Sequence, residues 1–122
     1  MLGKEHLRTA FRDVYLKIFL VVSLLFVALN IALIIWKALP LAEIKPIFAL
    51  HYNVFFGVDE IGKWQRIFIF PGLGLAVWVL NAILALWYYA TERFASYALL
   101  ITSVGVNLAL FFATMFTILA NL

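Results

Sequence analysis

A chain of 122 residues with 67% apolar and 12% charged residues is far more hydrophobic than a soluble domain, in which about 45–50% and about 25% are usual. Small domains leave much of their surface exposed, so a water-soluble fold of this size could not bury so many apolar side chains. The composition excludes an ordinary soluble domain and predicts that lipid surrounds most of the chain.

The net charge of +3 comes from nine Lys and Arg residues, which flank the apolar runs instead of clustering on one face. Flanking cations are typical of membrane proteins, whereas a phosphate backbone needs a clustered basic surface. We therefore predict the lipid bilayer as a partner and no nucleic acid. The absence of Cys excludes a disulfide framework, a thiolate metal site and a thiol nucleophile.

The first element in chain order is residues 1–17, in which apolar residues recur at helical spacing among several cations. This pattern predicts an amphipathic lead-in that is continuous with the first span. Two interpretations remain open. The segment is either an interfacial helix that touches anionic headgroups or a cytoplasmic flank that only sets orientation, and we favour the flank.

Three long segments without ionised groups follow, at residues 18–36, 67–90 and 94–120. Each is long enough to cross a hydrocarbon core of about 30 Å as a helix. The first run is too long for a signal peptide and no small-x-small cleavage site follows it. The short turn at 91–93 predicts an antiparallel hairpin of the last two spans. The predicted fold is an all-α integral membrane domain with three transmembrane helices and a structured extracytoplasmic loop at 37–66.

The distribution of cations predicts the orientation. With the N-terminus in the cytoplasm, five Lys and Arg lie inside and four lie outside, a small bias in the direction of the positive-inside rule. We predict a multi-pass protein of the cell (inner) membrane, with a cytoplasmic N-terminus and an extracytoplasmic C-terminus. Trp78 is unusual because it lies near the middle of a span; its N–H needs a partner, and Asn81 one turn further on is a candidate.

Helices in lipid pack through small residues and polar contacts. The third span has small residues in steps of four and three, a pattern that would let another helix approach closely. These residues are Ala98, Thr102, Gly105, Ala109 and Ala113. Each span also holds one Asn, and we interpret Asn30, Asn81 and Asn107 as structural polar contacts; the alternative is a polar site for a ligand or ion. No Asp, Glu, Lys, Arg or His lies inside a span, which argues against a proton relay or ion path.

The loop between the first two spans contains most of the polar side chains that could act specifically. Leu41 to Lys45 could form one helical turn. The alternation from Leu50 predicts a strand, and residues 57–62 have turn chemistry, so we expect a hairpin that returns through residues 63–66; an interfacial helix is the alternative. The candidate binding residues of the loop are His51, Tyr52, Asn53, Asp59 and Glu60.

The loop also carries a resemblance. Its pattern is Leu39-Pro40, Pro46, His51-Tyr52-Asn53, Gly57, Asp59, Gly62 and then Pro71. This pattern resembles a bacterial membrane domain of unknown function that is found in the immunity protein of the Sdp toxin system. It is also similar to small bacterial membrane proteins with a His-Tyr-Asn-x-x-x-Gly-x-Asp core. The resemblance implies a bacterial envelope setting and brings no catalytic residue.

His51, Asp59 and Glu60 are residue types that bind metals or transfer protons. Metal sites need three or four convergent ligands, however, and a lone His beside Tyr and Asn is more often a structural, hydrogen-bonded group. The sequence has no Gly-rich phosphate loop, zincin motif or Ser elbow. We therefore predict no catalytic residue, no metal and no cofactor.

The expected function is a binding or accessory component of the bacterial envelope that contacts another membrane protein or forms a homo-oligomer. One alternative is an immunity-like or transport-related membrane protein that handles a small amphipathic substrate. A metal-dependent membrane hydrolase is the least favoured alternative.

Overall fold

The computed structural model describes the backbone of residues 4–53 and 57–122 and the side chains of residues 4–49 and 62–122. Its elements in chain order are α1 (Lys4–Arg12), α2 (Val14–Leu33), a π-helical turn (Ile34–Ala38), α3 (Leu39–Ile44), β1 (Ile47–Asn53), β2 (Gly57–Lys63), a 3-10 helix (Trp64–Phe68), α4 (Ile69–Tyr88) and α5 (Arg93–Ala120). Three helical runs are long and apolar enough to cross a membrane: Val14–Ile44, Trp64–Tyr88 and Arg93–Ala120. The helical architecture with three candidate membrane helices is confirmed.

The predicted continuity of the lead-in with the first span is wrong, because the chain breaks at Asp13. This residue has an extended backbone (φ −72°, ψ 117°), and its carboxylate accepts hydrogen bonds from the N–H groups of Tyr15 and Leu16. An Asp in this position satisfies N–H groups that have no partner inside the first helical turn. The cap starts α2 and leaves α1 as a separate helix.

The first long helix widens at Ile34–Ala38, where the N–H of Leu39 donates to the carbonyl of Ile34. Pro40 follows directly. It has no N–H to continue the helical ladder, and its ring crowds the carbonyl four residues earlier. A π-helical turn accommodates the proline without ending the helix. The helix therefore continues to Ile44 and includes residues 37–44 of the predicted loop.

Helices α2 and α5 run parallel to each other. Tyr97 on α5 donates a hydrogen bond to Asp13 at the start of α2, and Asn107 donates to Ser23; both pairs are 84 residues apart in sequence. Because the difference in residue number is the same for both pairs, residue numbers increase in the same direction along the two helices. The first and third spans therefore point the same way, as a three-span topology requires.

Helix α4 runs antiparallel to α5. Asn81 donates to the carbonyl of Leu99, and Ser96 donates to the carbonyl of Ala85. Residue numbers therefore decrease along α4 in the direction in which they increase along α5. This confirms the predicted helical hairpin. We call the end of the bundle near Asp13 the α1 end, and the opposite end, where the β-strands lie, the hairpin end.

The inward face of α5 is mainly polar. Five of its seven buried residues carry a polar side chain: Ser96, Ser103, Asn107, Thr114 and Thr117. Its outward face carries large apolar side chains, among them Phe94, Phe116 and Ile101, which are 83%, 62% and 53% exposed. A helix in water has the opposite arrangement, so this distribution is the one expected of a helix surrounded by lipid.

Strands β1 and β2 form an antiparallel hairpin in which Ile47 lies opposite Lys63 and Asn53 lies opposite Gly57. The hairpin alternative for the loop is therefore the observed one, but its predicted limits are wrong. Residues 57–62 belong to strand β2 instead of a turn. Gly, Asp and Glu are rare in strands, yet pairing with a partner strand overrides that weak preference. Residues 54–56, which join the strands, lie outside the described part of the chain.

Two apolar clusters lie at the two ends of the bundle. The cluster at the hairpin end consists of Ile34, Ala38, Ala42, Phe48, Ile67 and Ile118. The cluster at the α1 end consists of Ala10, Leu16, Ala85, Tyr89 and Leu100. The cluster at the hairpin end packs β1 against the bundle, and the cluster at the α1 end packs α1 against it.

Candidate functional site

Asn121 attaches the hairpin to the end of α5. Its Nδ2 donates to the carbonyl of Ala49 (2.8 Å), and its Oδ1 accepts from the N–H of the same residue (2.6 Å). The side-chain amide thus takes the place of a neighbouring strand at this point of β1. Nδ2 also donates to the carbonyl of Thr117 (2.7 Å), so this buried amide is bonded on both sides.

Phe48 provides the apolar part of the same attachment. Its side chain is fully buried in the cluster at the hairpin end, while the neighbouring Ile47 is 55% exposed. This alternation is typical of a strand with one face on a core. Full burial of a Phe side chain contributes about 1.5–3 kcal/mol. One hydrogen-bonded Asn and one buried Phe therefore fix the position of β1.

The five candidate loop residues lie on this hairpin. The register places His51 opposite Glu60, and Tyr52 and Asn53 follow on the same strand. The register shifts between His51 and Tyr52, whose partners are Glu60 and Val58, so Asp59 is an extra residue on β2. Extra residues of this kind bend a strand and re-aim side chains. The side chains of these five candidates lie outside the described part of the structure.

Among the residues with described side chains, no three His, Asp or Glu residues converge as metal ligands would. The residues that a metal-dependent hydrolase would use, His51, Asp59 and Glu60, are not among them. The absence of metal and of catalytic residues remains a prediction.

Asn107 joins the three helices at the centre of the bundle. Its Nδ2 lies 3.0 Å from Oγ of Ser23 on α2, 3.3 Å from the carbonyl oxygen of Gly74 on α4 and 3.0 Å from that of Ser103 on α5. Two amide hydrogens are therefore shared among three acceptors on three helices. The arrangement is that of a structural polar contact in an apolar medium.

The other two Asn candidates of the long apolar helices differ from Asn107. Asn81 donates to the carbonyl of Leu99 on the next helix (3.0 Å). Asn30 is 1% exposed, and its Oδ1 is buried without a hydrogen-bond partner among the described residues. The candidate partner Asn81 is not the one that Trp78 uses, because the Trp78 N–H donates across the bundle to the carbonyl of Leu20 on α2 (3.0 Å).

The small-residue stripe of the third span faces outward. Ala98, Thr102, Gly105 and Ala109 are all exposed, and a Cβ built on Gly105 meets no described atom within 4 Å. These residues therefore do not hold α5 against α2 and α4. Their contact with another chain remains a prediction.

Asp13 forms a second polar group at the α1 end, where it accepts hydrogen bonds from the hydroxyls of Tyr89 (2.7 Å) and Tyr97. Burial raises the pKa of its carboxyl, but the two phenol donors and the N–H groups of Leu16 and Tyr15 outweigh this effect and hold the pKa below the usual 3.8. One charged side chain therefore ties the start of α2 to both other helices.

A cleft of about 300 Å³ opens beside this group. It is lined by Glu5, His6, Thr9, Tyr89, Ala90 and Arg93. His6 donates from Nε2 to the carbonyl of Leu86 (2.7 Å), which holds α1 across the end of α4. The cleft thus lies between the amphipathic helix and the α4–α5 turn.

Sequence reasoning missed several residues that organise these sites, namely Asp13, Ser23, Gly74 and Asn121. Two of them had a usable signal: Asp13 is an N-cap residue type directly before an apolar run, and Ser23 lies seven residues before Asn30 on the same helical face. Asn121 lies after the last long apolar run, and no sequence pattern there predicts a specific polar contact.

Comparison with protein-family models, curated proteins and solved structures finds no match to this chain.

Proposed function

We propose that the chain is a three-span protein of a bacterial cell membrane that acts by binding, as an accessory component that presents its β-hairpin at the extracytoplasmic surface. In this proposal α1 lies at the cytoplasmic face. The partner is another membrane protein or a second copy of the chain. The resemblance to the domain of the Sdp immunity protein is in keeping with an envelope setting.

The observation that carries the proposal is the attachment of the hairpin. The Asn121 amide and the buried Phe48 side chain hold β1 in one position on the bundle. A connecting loop without a function would not need such an attachment, whereas a binding surface gains affinity when its conformation is fixed before the partner arrives. Because the strands also carry His51, Tyr52 and Asn53, the hairpin concentrates the polar residues of the loop in one place.

Site-directed crosslinking tests this role. A photoreactive residue is placed at position 51 in the full-length chain, in membranes of the source cells, and the same residue at position 8 of α1 is the control. We expect a discrete adduct from position 51 that weakens strongly when Asn121→Ala releases the hairpin. Equal adducts from both positions, or an adduct from position 51 that is unchanged by Asn121→Ala, would contradict the proposal.

Association of copies through α5 is a specific form of the same proposal. The outward position of Gly105 makes Gly105→Leu a suitable test, because a Cβ at this position meets no described atom of its own chain within 4 Å. Small residues permit close helix approach, so the larger side chain should shift the mass in mild detergent from oligomer to monomer. Gly72→Leu on α4 is the matched control, since a Cβ there also meets no described atom.

The transport-related alternative rests on a different observation. Asn30 Oδ1 and Ser103 Oγ are buried without partners among the described residues, and an unpaired polar atom in an apolar medium is costly. A polar ligand or water that passes through the bundle would relieve that cost. Substrate-dependent protection that His51→Ala or Asn30→Leu abolishes, with unchanged assembly, would favour this alternative over the binding role.

A further inference from the structure

The cleft at the α1 end contains one cationic group of the kind that binds phosphate, because Arg93 brings a guanidinium with several N–H donors. Two other lining residues, Thr9 and His6, already donate to the carbonyls of Glu5 and Leu86 and shape the wall of the cleft. We propose that this cleft binds a phosphate group, presented by the headgroup of an anionic phospholipid. The site rests on the proposed membrane position of the bundle and is separate from the hairpin surface.

Arg93 is the main ligand in this proposal. Its guanidinium carbon lies 4.8 Å from the centre of the Tyr89 ring, which forms one wall of the cleft. Stacking on an aromatic ring restricts the guanidinium plane and leaves its edge donors available, and the fork of donors matches two phosphate oxygens. The hydroxyl of Tyr89 donates to Asp13, so this phenol is not itself a donor to the phosphate.

The position of the cleft fits a lipid headgroup better than a soluble anion. Trp87, Tyr88 and Tyr15 at this end of the bundle are 52%, 43% and 65% exposed. Trp and Tyr side chains concentrate at the level of the headgroups in membrane proteins. Tyr89 and Ala90, which line the cleft, directly follow Trp87 and Tyr88 in the chain, and Ile83 and Leu84 of α4 are exposed apolar side chains available to an acyl chain.

The surrounding charges have opposite effects that a test can separate. Lys4, Arg8 and Arg12 are exposed on α1 and add a general attraction to anionic lipid. Glu5 lines the cleft and repels a phosphate. If a phosphate occupies the cleft, the loss of Arg93 and the loss of Glu5 must act in opposite directions, while the loss of a cation outside the cleft has little effect.

The test is a lipid titration of the full-length chain in neutral detergent, with bound lipid counted by native mass spectrometry. Phosphatidylglycerol is the probe, and phosphatidylcholine and inorganic phosphate are the comparison ligands. The variants are Arg93→Gln, Arg93→Lys and Glu5→Gln. Arg8→Gln is the matched control, because it removes the same charge from the same end of the bundle but from outside the cleft. Helical circular dichroism of each variant checks that the fold is retained.

We expect Arg93→Gln to weaken phosphatidylglycerol binding about tenfold, as loss of a charge-assisted bidentate contact does, with a smaller loss for Arg93→Lys. Glu5→Gln should strengthen binding, and Arg8→Gln should change it by about twofold or less because salt screens exposed charges. Equal losses in Arg93→Gln and Arg8→Gln would overturn the proposal, as would equal binding of phosphatidylcholine. Displacement of the lipid by inorganic phosphate at the same concentration would overturn its assignment to a lipid.

Failure of this proposal and failure of the membrane proposal are distinguishable. Release of the chain from membranes by a carbonate wash would remove both. A chain that stays in the membrane but shows no preference for phosphatidylglycerol would remove the phosphate site alone.

Discussion

Gly74 on α4 lies directly against the side-chain amide of Asn107 on α5, and a Cβ at position 74 would collide with Oδ1 of that amide. The same approach brings the Gly74 carbonyl oxygen to 3.3 Å from Asn107 Nδ2. The helical hairpin therefore closes over a glycine because a hydrogen-bonding amide fills the space that any other side chain would need.

This contact predicts opposite outcomes at two glycines. Gly74→Ala should lower the free energy of unfolding by about 1–3 kcal/mol, because the methyl group forces α4 away from Asn107. Gly105→Ala should leave it unchanged or raise it by up to about 1 kcal/mol, because the site is open and Ala favours helix. Unfolding by a denaturing detergent, followed by circular dichroism, measures both. Equal effects of the two substitutions would show that Gly74 is not in close contact.

The two buried Asn residues should also respond differently to the same substitution. Asn107→Leu removes contacts to three helices and should destabilise the bundle by about 1–2 kcal/mol. Asn30→Leu removes a buried oxygen without a described partner and should be neutral or stabilising by about 1 kcal/mol. The same unfolding measurement decides the matter, and a large destabilisation by Asn30→Leu would reveal a partner such as a bound water or ligand.

Loss of the Asn121 amide should release the hairpin without unfolding the helices. In Asn121→Ala the N–H of Ala49 loses its acceptor, so its hydrogen exchange should accelerate about tenfold or more, as for the loss of one buried hydrogen bond. Asn121→Asp keeps an acceptor for that N–H and should show a smaller change. Leu122→Ala is the control, because Leu122 is 77% exposed. Unchanged exchange at Ala49 in Asn121→Ala would mean that Phe48 alone holds the strand.

Asp13 predicts a dependence of stability on acid. Its pKa is lower in the folded chain than the usual 3.8, so its ionised form is favoured by folding. The stabilisation is present in full above the pKa of the unfolded chain and is lost as the pH falls through the lower folded pKa. Asp13→Asn keeps an N-cap residue but removes the charge. We expect the variant to be less stable than the parent at pH 7 and equal to it at the lowest pH at which both stay folded.

A constant difference between the parent chain and Asp13→Asn across that pH range would contradict the ionic role of this carboxylate. Tyr97→Phe provides a second measurement. Removing one phenol donor should reduce the acid dependence without abolishing it, because Tyr89 and the two backbone donors remain.

The number of long helices and the α4–α5 hairpin were predictable because they follow from length, lack of charge and the short connection at 91–93. The inward face of α5 was harder to predict. Large apolar residues occur on all sides of the helix, so hydrophobic periodicity gives little guidance, and the small residues near Gly105 lie on the outward face. The informative pattern was the polar one, in which Ser96, Ser103 and Asn107 recur in steps of seven and four.

The candidate sites were predicted less well for a different reason. Asn121 and Asp13 act through partners that are distant in sequence, and no local pattern identifies such partners. The hairpin itself is predictable, but Gly57 and Gly62 are residues typical of turns, and both lie in β2. Local preference alone does not determine register when the partner strand supplies the pairing.

The parallel pairing of α2 with α5 also bears on how the chain is assembled during synthesis. The hydroxyl of Ser23 is bonded by a residue that the ribosome adds 84 positions later. In the proposed membrane position, the Ser23 hydroxyl must throughout that interval wait beside the insertion machinery or face lipid without its partner. Helix α5 therefore completes a polar contact of the first long helix only after α4 has been made, and a nascent chain released before α5 should be the form that quality-control proteases remove.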